Sequence, residues 1–208
     1  MRSIILLGVF VFTGLVTLSA QQNIVQNVQR TYQDIDDAVI TYEQIVEFPV
    51  TRAQQTFEGI VYMKRPHYYR IESEQQTVVT DGNTIWSYNP FTDQVIVDIY
   101  KEDEQVFTPD RFLLTIPDDF YVTVGDHETI DDASLILLRL VPKDDHQFVR
   151  SMRLWVDETK WIVRRAEIID LNDNKTTYRV RDIQLNTGVD MDLFFYQPSE
   201  NIEIIDLR

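Results

Sequence analysis

The chain has 208 residues, 44% hydrophobic and 25% charged, a globular composition that excludes wholesale disorder and a coiled coil. Lys and Arg total 19 against 34 Asp and Glu, and the resulting net charge of -15 repels nucleic-acid phosphates and anionic headgroups, so no nucleic-acid partner is expected. Cysteine is absent, which excludes disulfides, thiolate metal sites, a Cys nucleophile and a lipid-modified N-terminal Cys.

The first residues, MRSIILLGVFVFTGLVTLSAQQ, have one basic residue (Arg2), an apolar run from Ile4 to Val16, and small residues Ser19 and Ala20 before polar Gln21. That order predicts a cleaved signal peptide over residues 1–20, with residues 21–208 expected as one exported domain. The apolar run is too short for a membrane anchor and contains Gly8 and Gly14. Export without disulfides fits a bacterial periplasm.

A helix is expected over 22–36, where Val25, Val28, Tyr32 and Ile35 form one apolar stripe. From Ala38 to Val46 the residues are β-branched and aromatic, which favours a strand, although the stripe can be extended through Val39, Tyr42 and Val46 as a longer helix. Strand-like runs then follow at 56–64, 67–73, 76–80, 84–89, 94–100, 120–125, 134–141, 149–157, 161–170 and 176–185, separated by turn residues such as Asp81-Gly82-Asn83 and Asn172-Asp173-Asn174. Met152, Leu154 and Val156 alternate with Arg153, Trp155 and Asp157. Short connections imply antiparallel neighbours. Thr108-Pro109 opens a short helix over 108–114 that carries Phe112 and Leu113. The fold class is therefore mainly β, with an N-terminal helix and a short central one. So large a sheet must curl, pack a second sheet or enclose something apolar.

Catalytic chemistry finds little support. His67, His127 and His146 have no metal-ligand spacing, and the GDHETIDD segment around His127 reads as a solvated acidic loop. No nucleophile elbow or phosphate-cradling Gly loop occurs, and adjacent acids such as Asp118-Asp119 read as surface. No enzyme activity, metal or cofactor is expected.

One stretch is more specific. GIVYMKRPHYYRIESEQQTVVTDGNTIWSYNP (59–90) combines Gly59, Lys64-Arg65-Pro66, Tyr68-Tyr69, Asp81-Gly82 and Trp86-Ser87-Tyr88-Asn89-Pro90. Thr41-Tyr42-Glu43-Gln44 precedes it, and Phe195-Tyr196-Gln197-Pro198 followed by NIEIID closes the chain. This pattern resembles the outer-membrane lipoprotein carrier protein family, LolA. The resemblance implies a half-open antiparallel barrel with a helical lid over an apolar cavity for acyl chains. It implies a periplasmic carrier that takes acylated lipoprotein cargo from an inner-membrane ABC transporter towards an outer-membrane acceptor, working as a monomer. Arg65 then ties the rim to the lid, Phe112 and Leu113 belong to the lid, and Tyr42, Tyr62, Tyr69, Trp86 and Tyr88 are cavity candidates. Lys64 is expected to be solvated. The alternatives are carriage of another amphiphile such as a glycolipid, or a lipoprotein-sensing regulatory domain.

Overall fold

A computed structural model describes residues 15–101, 118–130, 133–144, 149–199 and 202–208, with side chains in the N-terminal helix from Asn23 onward. The helix α1 (Leu15–Gln33) leads into strands β1 (Asp37–Phe48), β2 (Ala53–Lys64), β3 (Tyr68–Ser73), β4 (Thr77–Thr80), β5 (Thr84–Asn89) and β6 (Gln94–Ile99). The chain then forms β7 (Phe120–Ile130), β8 (Ala133–Pro142), β9 (Val149–Asp157), β10 (Ile162–Asp170) and β11 (Lys175–Leu185), a 3-10 turn (Met191–Phe194) and β12 (Glu203–Asp206).

All twelve strands belong to one sheet in the order β12-β6-β5-β4-β3-β2-β1-β11-β10-β9-β8-β7, and the sheet does not close. Two antiparallel meanders, β1–β6 and β7–β11, join where β1 pairs β11, and β12 adds in parallel to β6. The expected helix is present and ends at Gln33, so the β-branched run after Asp37 becomes a strand rather than more helix. The acidic segment around His127 is corrected from loop to strand: β7 reaches Ile130, with a register shift between Val124 and His127. It is the outermost strand, where charged residues are tolerated and shield the edge. The short helix expected at 108–114 lies outside the described residues.

Ile24, Val25, Val28 and Tyr32 of α1, with Ile35 just beyond it, are buried on one face of the sheet. They meet Ala38, Ile40 and Tyr42 of β1, Val61 and Met63 of β2, and Leu138, Leu140, Met152 and Leu154 of β8 and β9. Tyr32 also receives a hydrogen bond on its hydroxyl from the Val163 amide of β10, 3.2 Å away. The stripe read from the sequence is therefore the side of α1 that loses water, which is the dominant force holding a lone helix on a sheet.

The opposite face, called here the reverse face, has its own cover. After β11 the chain turns at residues 186–188, where the buried Asp37 carboxylate accepts from the Thr187 and Gly188 amides at 2.8 and 3.0 Å. Asn186 and Gly188 hold positive φ of 55° and 78°, a conformation Asn and Gly adopt at least cost. The turn delivers Val189 and the fully buried Phe194 to the reverse face, where the Phe194 ring lies 5.7 Å from that of Tyr68.

Candidate functional site

Pairing along the sheet decides which side chains share a face, because residues directly opposite in a ladder point the same way. One row on the α1 face runs Ile40, Val61, Ile71, Val78, Ser87, Ile96, Ile205. A neighbouring row runs Ala38, Met63, Tyr69, Thr80, Ile85. Near α1 these rows are buried. Away from it they open: Ile71, Val78 and Ile85 are half-buried, Ile205 is 36% exposed and Ile96 is 43% exposed. A largely apolar strip, interrupted by Ser87 and bordered by Asp98 opposite Ile85, thus continues from the core towards the β12 end of the sheet, and its half-exposed part is where an apolar ligand would gain most from contact.

Of the five aromatic cavity candidates, Tyr42 and Tyr69 stand on this face and are buried. Tyr42 stacks at a tilt on Tyr178, centroids 5.9 Å apart, and Gln44 donates to the Tyr178 hydroxyl at 3.3 Å. Burial raises the pKa of Tyr42, and burial followed by the neighbouring Tyr42 pushes Tyr178 up to about 12. Gly59 opposite Tyr42 lets that ring lie flat across β2: a Cβ there would come within 2.5 Å of the ring.

Tyr62, Trp86 and Tyr88 lie on the face opposite that of Tyr42 and Tyr69. The unbroken registers of β2–β6 put Tyr62, Arg70, Val79, Trp86 and Val97 in one row, with Tyr88 and Val95 beside it, all on the reverse face. There the Tyr88 and Tyr196 rings stack 6.2 Å apart, and Arg70 donates to the Leu193 carbonyl at 3.2 Å. Tyr62, Trp86 and Tyr88 are half-buried on this face, beside the buried Val79, Val95 and Val97. Period-2 alternation assigns a side only relative to a neighbouring strand, so their face could not be read from the sequence. Phe112 and Leu113 lie outside the described residues.

Arg65 follows β2 and reaches the end of α1. Its Nη2 donates to the Tyr32 carbonyl at 2.5 Å, its Nε to the Ile35 carbonyl at 2.6 Å, and its amide to the Asp36 carbonyl at 2.9 Å. The carbonyls at a helix C-terminus lack intrahelical partners and carry partial negative charge, so one guanidinium satisfies and attracts them at once. Lys64, expected to be solvated, is corrected too: its Nζ donates to the Val189 carbonyl at 2.5 Å and anchors the segment crossing to the reverse face.

The row from Ile40 to Ile205, isoleucine and valine except for Ser87, is the feature of this face that the sequence did not reveal. Its signal was present, since Val61, Ile71 and Val78 become one file once 59–64 is paired with 68–73 and 77–80. Among the described residues, no three His, Asp or Glu side chains are grouped as metal ligands. His127 pairs with Glu158 at 2.8 Å on the surface, and His67 stacks on Tyr100. His146 lies outside the described residues.

Among the described residues, an open twelve-stranded sheet with one helix across an apolar face defines a class of β proteins seen in solved structures. An uncharacterized conserved protein from Thermus thermophilus superposes with a TM-score of 0.60 at 12% identity, over 90% of this chain and 99% of that one. The sequence fixes the family more narrowly. The model for "Outer membrane lipoprotein carrier protein LolA" matches residues 33–197, and the chain belongs to that family. Relatives named outer-membrane lipoprotein carrier protein include one from Haemophilus ducreyi, 24% identical over 91% of this chain and 88% of that protein. Another, from Photorhabdus laumondii, is 29% identical over the full length of both.

Proposed function

We propose that the protein is a periplasmic carrier that receives acylated lipoproteins from an inner-membrane ABC transporter and moves them to an outer-membrane acceptor. Residues 1–20 serve as the signal peptide that exports it. The acyl chains lie along the α1 face, on Ile71, Val78, Ile85, Ile96 and Ile205, with Tyr42 and Tyr69 at the inner end of the site. The observation that carries this reading is the apolar row that leaves the core and stays half-exposed towards β12. Each acyl methylene buried there contributes about 0.8 kcal/mol, so a few partly covered chains bind usefully without covalent chemistry. Arg65 acts as the latch of α1, because its bonds to Tyr32 and Ile35 must break if the helix lifts. No helix among the described residues is long and apolar enough to cross a membrane.

The test is site-specific photo-crosslinking with a triacylated lipopeptide. A crosslinker placed at Ile85 or Ile96 should capture the lipid, whereas one at Trp86 or Tyr88 should not. Equal capture from both faces, or capture only from the reverse face, would sink the assignment.

A further inference from the structure

The reverse face of β8–β11 carries a concentration of arginine that the chain's overall charge does not lead one to expect. One rung across the strands reads Arg139, Arg153, Glu167, Thr177, and the next reads Trp155, Arg165, Arg179, Glu43. Arg181 adds to the second rung through Glu43, 2.5 Å from its Nη2. Arg139 thus stands directly opposite Arg153, and Arg165 opposite Arg179. Like charges placed opposite in a ladder are destabilising. Two mostly buried carboxylates lie among these five cations: Glu167 near Arg153 and Arg165 (3.3 and 3.6 Å), and Glu43 near Arg179 and Arg181. Arg139 is exposed and makes no ion pair among the described residues, and the buried Nε of Arg165 has no acceptor although its guanidinium stacks 4.4 Å over Trp155. Arg153, Arg179 and Arg181 are about half exposed, so their outer N–H groups remain available.

We propose that this face docks an acidic, Asp- and Glu-rich segment of a partner protein. Guanidinium forks match carboxylates in pairs and desolvate more readily than ammonium groups, which suits a protein contact. An anionic bilayer fits less well: it would bring its charge against the rest of a chain whose net charge is -15, whereas a short peptide segment can dock on the arginine-rich patch without facing most of that charge. A second copy of the chain is disfavoured by the same net charge. The surface lies opposite the apolar row, so it stays open while that row is occupied, and the proposal does not depend on what the row binds.

Fluorescence anisotropy of the whole protein with a labelled Glu-Asp decapeptide at low ionic strength tests it. The wild-type chain should bind, and more weakly as salt rises. Arg139→Gln combined with Arg181→Gln, both at exposed positions, should weaken binding about tenfold or more, while Arg208→Gln at the C-terminus should not change it. Arg153→Lys, which keeps the charge and loses the fork, should bind with an intermediate loss and guards against a folding defect in the double variant. The proposal is overturned if the wild-type chain ignores the peptide or the double variant binds as well as wild type. It is equally overturned if these arginines instead govern binding to phosphatidylglycerol vesicles, or a dimer seen by sedimentation.

Discussion

At Gly59 a hydrogen in place of a methyl group decides where an aromatic ring lies. An alanine Cβ would meet Tyr42 at 2.5 Å and the Glu72 carbonyl at 2.7 Å, and the carbonyl belongs to backbone that cannot swing aside. Gly59→Ala should therefore destabilise the protein by about 1–3 kcal/mol, the usual range for forcing extra volume into a packed site. Shortening the ring with Tyr42→Leu should recover part of that loss, and chemical denaturation of the two single variants and the double variant measures the coupling. If the two effects simply add, Tyr42 is not what Gly59 accommodates. The glycine was legible in the sequence as part of a motif. Its reason was not, because the ring it accommodates comes from another strand.

At the scale of elements, α1 is held from two sides: its apolar stripe against the sheet and Arg65 at its C-terminal end. Arg65→Leu removes two charge-assisted hydrogen bonds and leaves the Tyr32 and Ile35 carbonyls without that donor, a loss of about 1.5–3 kcal/mol. Because that loss is local, amide hydrogen exchange should accelerate in residues 24–33 far more than in β8–β10, with the far-UV circular dichroism of the sheet kept. Uniform acceleration would mean that Arg65 supports the whole fold rather than the seat of one helix. The existence and order of nearly every element could be read beforehand, since Val25, Val28, Tyr32 and Ile35 announce a helix and alternating runs such as 149–157 announce strands. Three features escaped. Strand β7 runs through an acidic stretch that resembles a loop because an edge strand need bury little. That Tyr62, Trp86 and Tyr88 share the face away from α1 could not be read, because alternation has no absolute sign. The 3-10 turn at Met191–Phe194 left no periodic trace, and only packing on Tyr68 and Arg70 reveals why Phe194 is buried.

Across the whole molecule, two buried phenols contribute to the loss of stability in alkali. Burial, only partly offset by the hydrogen bond from Val163, pushes Tyr32 up to about 12, and Tyr178 reaches about 12 as well. In the unfolded chain both ionise near pH 10, so above that pH the unfolded state loses protons before the folded state does. Their contribution is fully present below pH 10 and is lost as pH rises from 10 to about 12. Denaturation midpoints should fall steeply in that window, and Tyr178→Phe should make the fall shallower. An unchanged slope would mean that Tyr178 ionises in the folded state as easily as in water.

The seam between the two meanders has a consequence for how the chain reaches this structure. β1 pairs with β2 almost at once, but its other edge waits for β11, with Ala38 opposite Leu185 and Glu47 opposite Lys175. Contacts between parts so far apart along the chain form late, because the intervening loop must first be closed. Until residues 175–185 arrive, β1 is an unprotected edge rich in apolar side chains, and no 186–188 turn is there to donate hydrogen bonds to the Asp37 carboxylate. During biosynthesis, with residues emerging from the N-terminus onward, that interval is when the molecule is most exposed to aggregation, and it ends only when nearly the whole sequence is available.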